Sequence, residues 1–152
     1  MERGNIQILE GEGVSKSFGG LAALCHVDFN VDQGQVVGLI GPNGAGKTTL
    51  FNLISGALVP DAGEIRYKGK KITGSKPHQI CREGIARTFQ SVKVFANMPV
   101  QQNVLLGSLF GTPTGMSTAD ATREATGLLE FLGFIGSSSN TKDSINTINT
   151  SY

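Results

Sequence analysis

Hydrophobic residues recur at two spacings along this chain, and the switches between them mark its elements. Residues 6–13 alternate weakly between apolar and polar and predict a first strand; residues 24–31 predict a second, in which Val27, Phe29 and Val31 alternate with His26, Asp28 and Asn30. Past the turn Asp32-Gln33-Gly34 the pattern changes in kind. Val36-Val37-Gly38-Leu39-Ile40 is apolar without alternation, which suits a strand covered on both faces, as in a parallel sheet. From position 46 to about 58 the residues Leu50, Phe51, Leu53, Ile54, Ala57 and Leu58 fall at helical spacing, with Gly56 near the end as a cap.

The second half carries stronger punctuation. Pro60-Asp61-Ala62-Gly63 signals a turn, residues 64–73 predict a hairpin around Lys68-Gly69-Lys70, and residues 77–83 predict a short helix stopped by Gly84. Residues 85–89 are a strand candidate ending at Gln90. Helices are then expected over 100–110 and 118–132, separated by Gly111-Thr112-Pro113. The later one is expected to be capped by Thr118, closed by Gly133 and striped by Leu128, Leu129 and Leu132. Residues 136–152 are dominated by serine, threonine and asparagine and are expected to pack poorly.

These elements predict an α/β fold. At 152 residues with 39% hydrophobic content, one domain of ordinary size is the default. Within it the pattern separates a core at 1–94, a helical beginning at 95–135 and a polar tail at 136–152. A net charge of +1 and the lack of any lysine or arginine run argue against direct nucleic-acid binding. No apolar stretch behind Met1 resembles a secretion signal, and none approaches the ~20 residues of a membrane span, so a soluble, non-secreted chain is expected. Cys25 and Cys81 lack zinc spacing and are expected to be free thiols, with His26 on the polar face of its strand and not a ligand.

The most specific chemistry lies at Gly41-Pro42-Asn43-Gly44-Ala45-Gly46-Lys47-Thr48-Thr49, which fits G-x-x-x-x-G-K-[ST] between an apolar run and a helical one. Such a loop binds phosphate through successive backbone N–H groups, which glycines allow to converge. The following helix adds its unpaired first amides and the positive end of its dipole. Lys47 is expected to reach back to the β- and γ-phosphates of a nucleoside triphosphate, and the Thr48 hydroxyl to ligate Mg²⁺. Arg87 is assigned no chemistry.

Three further signals keep a fixed order around this loop: Phe18 within Ser15-Lys16-Ser17-Phe18-Gly19-Gly20 ahead of it, then Gln90, then a helical segment. Over about residues 5–135 the chain resembles the first half of an ABC transporter ATP-binding subunit, a P-loop NTPase core with an antiparallel β-subdomain and the start of a helical subdomain. Phe18-Gly19-Gly20-Leu21, Gly84-Ile85-Ala86-Arg87-Thr88-Phe89-Gln90, Phe95, Met98 and Asn103-Val104-Leu105 look like the branched-chain amino acid transporter ATPases. The resemblance implies ATP and Mg²⁺ as cofactors, Phe18 as an adenine platform, and Gly41, Asn43, Gly44, Ala45, Gly46, Lys47, Thr48 and Thr49 as the phosphate cradle. It further implies Gln90 as a catalytic sensor of Mg²⁺ and γ-phosphate beside Lys47, and residues 91–100 near a groove for the membrane subunit. Implied partners are transmembrane permease subunits and a second ATP-binding subunit, with the protein peripheral at the cytoplasmic face of the inner membrane.

In that family an apolar strand ending in Asp-Glu, a glycine-rich signature and a late histidine complete the hydrolytic site. None follows Gln90 here, and Ser151-Tyr152 resembles at most the opening of a Ser-Tyr-Gly signature, so a truncated subunit without useful turnover is expected. Two other readings stay open: the ATPase of another ABC system, such as a lipopolysaccharide exporter, and a non-catalytic nucleotide-binding fragment.

Overall fold

The computed structural model describes residues 6–89, 94–111 and 115–134. They divide into two compact units, with the division falling after Ile80. The first is built on a four-stranded antiparallel sheet of order β2-β1-β3-β4, from β1 (Gln7–Phe18), β2 (Leu21–Asp32), β3 (Ala62–Tyr67) and β4 (Lys70–Lys71). Both leading strands run several residues past their expected ends. Their added length is the hairpin itself, in which Phe18 faces Leu21 across Gly19-Gly20, both with positive φ as a two-residue turn of the right hand requires.

The β1–β2 ladder is irregular, and side chains fill the gaps. Near Gly13 an extra residue in β1 breaks the register, and the freed Gly13 N–H donates to Asp28 Oδ1 at 2.6 Å. Further along the extra residue lies in β2, where His26 takes a φ of 47° and its N–H donates to Ser15 Oγ at 2.9 Å. His26 is exposed as expected, at a bulge. The β3–β4 hairpin turns at Lys68-Gly69 as predicted, and Thr73 Oγ1 extends it by accepting the Ile65 N–H at 2.7 Å.

Helix α1 (Lys47–Ile54) buries Leu50 and Leu53, and Val14, Leu24, Ile65, Ile72 and Ile80 are the other buried apolar residues of this unit. Its C-terminus is closed by Gly56, whose N–H donates to the Leu53 carbonyl at 3.2 Å. Helix α2 (Pro77–Glu83) matches its predicted bounds. In the second unit α3 (Val100–Phe110) packs on α4 (Thr118–Phe131), which presents Ala121, Ala125 and Leu129, one turn apart on a single face. The two are also tied by Gln101 Nε2 donating to Thr126 Oγ1 at 2.9 Å.

Several expectations are corrected. Residues 36–40 form no strand; Val36 and Ile40 are fully exposed, and among the described residues no strand runs beside them. An apolar run suited to two covered faces gains its ladder and its burial only from neighbours on both sides. Residues 85–89 are likewise irregular, for the same want of a pairing partner among the described residues. The cap of α4 is Ser117, one residue before Thr118: its Oγ accepts the Asp120 N–H at 3.1 Å. Gly133 closes that helix, with Gly133 N–H to Glu130 O at 3.0 Å and Phe134 N–H to Leu129 O at 2.9 Å. Of that helix's expected apolar stripe only Leu129 is buried, since the packing face is carried by two alanines. The 136–152 tail lies outside the described residues.

Candidate functional site

The loop that precedes α1 curls because two of its glycines are left-handed, Gly44 at φ 84° and Gly46 at φ 79°. Gly46 is the N-cap, and its carbonyl accepts the first helical bond, from Leu50 N–H at 2.9 Å. Space is as restrictive as torsion here. A Cβ on Gly46 would stand 2.5 Å from the Ala23 carbonyl oxygen and 2.7 Å from Leu24 Cδ2, so the loop lies directly on β2.

Lys47 arches back over the turn and donates from Nζ to the Gly41 and Pro42 carbonyls, each at 2.5 Å, while Ala45 N–H donates to Pro42 O at 3.3 Å. The result is a ring of backbone with an ammonium across it. An open cleft of about 230 Å³ lies against it, lined by Ala23, Asn43, Gly44, Gly46, Lys47, Thr48 and Thr49. No carboxylate is among those residues. A cation, the first amides of a helix and left-handed glycines together present positive potential to whatever occupies the cleft, which selects an anion.

Of the residues singled out from the sequence, the fold brings together Asn43, Gly44, Gly46, Lys47, Thr48 and Thr49, with Gly41 held through the lysine. Ala45 belongs to the same turn. Phe18 does not line the cleft; it stands at the end of β1, 46% exposed, with Lys16 Nζ 5.8 Å from its ring centroid. Gln90 lies outside the described residues. Two residues escaped sequence reasoning. Ala23 lines the cleft because a register slip in β2 sets it there, and nothing local announces that. Asp61, read only as part of a turn, accepts from Lys16 Nζ at 2.6 Å and from Ser17 N–H at 2.7 Å. The Lys16 hydrogen bond first, then that of the Ser17 amide, holds its carboxyl below the usual aspartate range.

The sequence profile of the ABC transporter family matches residues 24–149. The chain belongs to that family. The relatives include the high-affinity branched-chain amino acid transport ATP-binding protein BraF of Pseudomonas aeruginosa, 44% identical over 117 residues, covering 70% of this chain and 46% of BraF. The corresponding Escherichia coli protein, LivG, is 39% identical over 109 residues, covering 72% of this chain and 43% of its own length. The chain thus spans less than half of the curated ABC transporter relatives it matches. Among solved structures, a nucleotide-free ATP-binding cassette from an ABC transporter superimposes with a TM-score of 0.68 at 35% identity, over 84% of this chain and 54% of that one. An ATP-binding cassette in its ADP conformation gives the same values. The fold is therefore that of part of an ATP-binding cassette, a P-loop NTPase, as the α/β expectation had it. Among the described residues no helix is long and apolar enough to cross a membrane, and no group of three or more potential metal ligands among histidine, cysteine and acidic side chains is present. Both cysteines are free, as expected.

Proposed function

We propose that this chain is the N-terminal part of the ATP-binding subunit of an ABC transporter that imports branched-chain amino acids. The observation that carries the nucleotide part of the reading is the ring closed by Lys47 on Gly41 and Pro42, set at the N-terminus of α1 and against a carboxylate-free cleft, while the amino acid cargo rests on the similarity to BraF and LivG. ATP would lay its triphosphate along the amides of residues 41–49, with Lys47 as the counter-charge on the β- and γ-phosphates and Phe18 under the adenine.

The fit for Mg²⁺ rests on Thr48, an exposed hydroxyl in the first turn of α1 within the cleft. Thr48 would hold it, and when bound it would neutralise charge on the β- and γ-oxygens. Residues 91–100 would lie near a groove for the permease; of the described ones Val94 and Phe95 are exposed, with Phe95 N–H held by Asn103 Oδ1 at 2.9 Å. A second ATP-binding subunit and peripheral attachment at the cytoplasmic membrane face complete the reading. The 152-residue chain alone would bind nucleotide without sustained turnover, because its sequence after residue 90 offers no Asp-Glu pair to orient water on the γ-phosphate.

Equilibrium titration of the purified chain with ATP and magnesium tests the reading. Saturable binding that Lys47→Ala abolishes is expected, and a folded sample with no saturable binding would overturn it. Cargo is tested by a chimera: residues 6–134 placed in a complete branched-chain importer subunit should sustain leucine uptake, and loss of uptake in a chimera that still hydrolyses ATP would reject the amino acid assignment.

A further inference from the structure

The end of β1 that carries Phe18 is fastened by one residue from outside its hairpin. Pairing of β1 with β3 ends at Ser15 opposite Ala62, so residues 16–18 have β2 on one side and no β3 partner on the other. Asp61, just ahead of β3, fastens residues 15–17 with three bonds. Its N–H donates to Ser15 O at 2.9 Å, its Oδ1 accepts from Lys16 Nζ at 2.6 Å, and its Oδ2 accepts from Ser17 N–H at 2.7 Å. Lys16, only 17% exposed against 50% for Asp61, is in turn 5.8 Å from the Phe18 centroid. An ammonium with one carboxylate oxygen and one aromatic ring as neighbours has a restricted set of positions, and so does the ring.

We propose that Asp61 and Lys16 are positioning residues for Phe18, holding its ring as a fixed platform for the nucleotide base. The inference rests on the proposed role of Phe18 in binding adenine. It adds that base affinity depends on an acidic residue 43 positions further along the chain, which is not among the residues lining the cleft. A fixed ring stacks without first losing its own freedom, so releasing it weakens binding of the base and leaves the phosphate contacts alone.

The experiment compares Mg-ATP with magnesium tripolyphosphate, which carries the phosphates and no base, by calorimetric titration of the whole chain and its variants. Phe18→Ala sets the scale, since complete loss of base–aromatic stacking costs roughly 5- to 150-fold. Asp61→Ala and Lys16→Ala are expected to weaken ATP about 5-fold while leaving tripolyphosphate within about 2-fold, and Lys16→Arg to restore ATP affinity. Asp61→Asn, which keeps an acceptor for Ser17 N–H but loses the ionic hold on Lys16, is expected to fall between and serves if Asp61→Ala does not fold. If Phe18→Ala weakens ATP while Asp61→Asn and Lys16→Ala do not, the inference fails and the functional reading stands. Equal losses for ATP and tripolyphosphate would make Asp61 a general structural residue and also overturn it. If Phe18→Ala leaves ATP unchanged, the adenine platform itself falls, and the inference with it.

Discussion

Gly46 meets the carbonyl of Ala23 so closely that a side chain at position 46 would place its Cβ 2.5 Å from that oxygen. The same glycine has φ 79°, so the contact and the torsion demand the same residue. Gly46→Ala is expected to destabilise the first unit by about 1–3 kcal/mol, the usual cost of holding a side chain in a sparsely populated backbone region, and to displace the loop from β2. Urea denaturation of wild type and variant measures the first effect. A variant as stable as the wild type would show that the loop does not rest on β2.

Asn103 fastens the segment that leads into α3. Its Oδ1 accepts Phe95 N–H, and its Nδ2 lies within hydrogen-bond distance of the carbonyls of Phe95, Met98 and Pro99 at 3.2, 3.0 and 3.2 Å. Asn103→Ala removes all of these, and a loss of about 1–2 kcal/mol of local stability is expected from net values near 1 kcal/mol per bond, shared among contacts that are not independent. Hydrogen exchange at the Phe95 and Met98 amides should accelerate accordingly. Unchanged protection there would contradict the assignment.

How far the sequence foretold this structure depends on what each element needs. The Lys68-Gly69 hairpin, α2, α3 and the Gly133 stop were legible because their signals are local: turn residues, an early proline, a glycine after the last turn. The turn at 41–49 was legible for the same reason, since the residues that define its pattern are the ones that curl ahead of α1. Residues 36–40 and 85–89 misled because a strand-like stretch of sequence states only a local preference, while a strand exists only where a partner lies beside it. Asp61 and Ala23 were invisible because their roles arise from register, which no single segment encodes.

Acid should loosen the sheet through two carboxylates. Hydrogen bonding to Lys16 holds Asp61 low, and Glu64 is held low chiefly by Lys71 at 2.5 Å, with Arg66 also paired to it. A carboxyl depressed in the folded state contributes stability above its unfolded value and loses it as pH falls through the folded one. The loss therefore opens below 4.5, the ordinary glutamate value, and continues past 3.8, that of aspartate. Asp61→Asn combined with Glu64→Gln should flatten the pH dependence of the thermal midpoint in that window. The effect is small because both groups face solvent, and a wild-type midpoint that rises on acidification would contradict it.

Phosphate release separates binding from turnover. The purified 152-residue chain is expected to release no phosphate from ATP above the rate of a Lys47→Ala control, with magnesium present. Sustained release lost in that variant would mean that other residues orient the attacking water.

The most direct test of the account watches the amides that are held to bind the anion. In ¹⁵N-resolved spectra of the folded chain, Mg-ATP should shift the backbone signals of Gly44, Gly46, Lys47 and Thr48 saturably, tripolyphosphate should reproduce those shifts, and Lys47→Ala should remove them. Saturable shifts that leave these four amides in place, or that survive in Lys47→Ala, would contradict it.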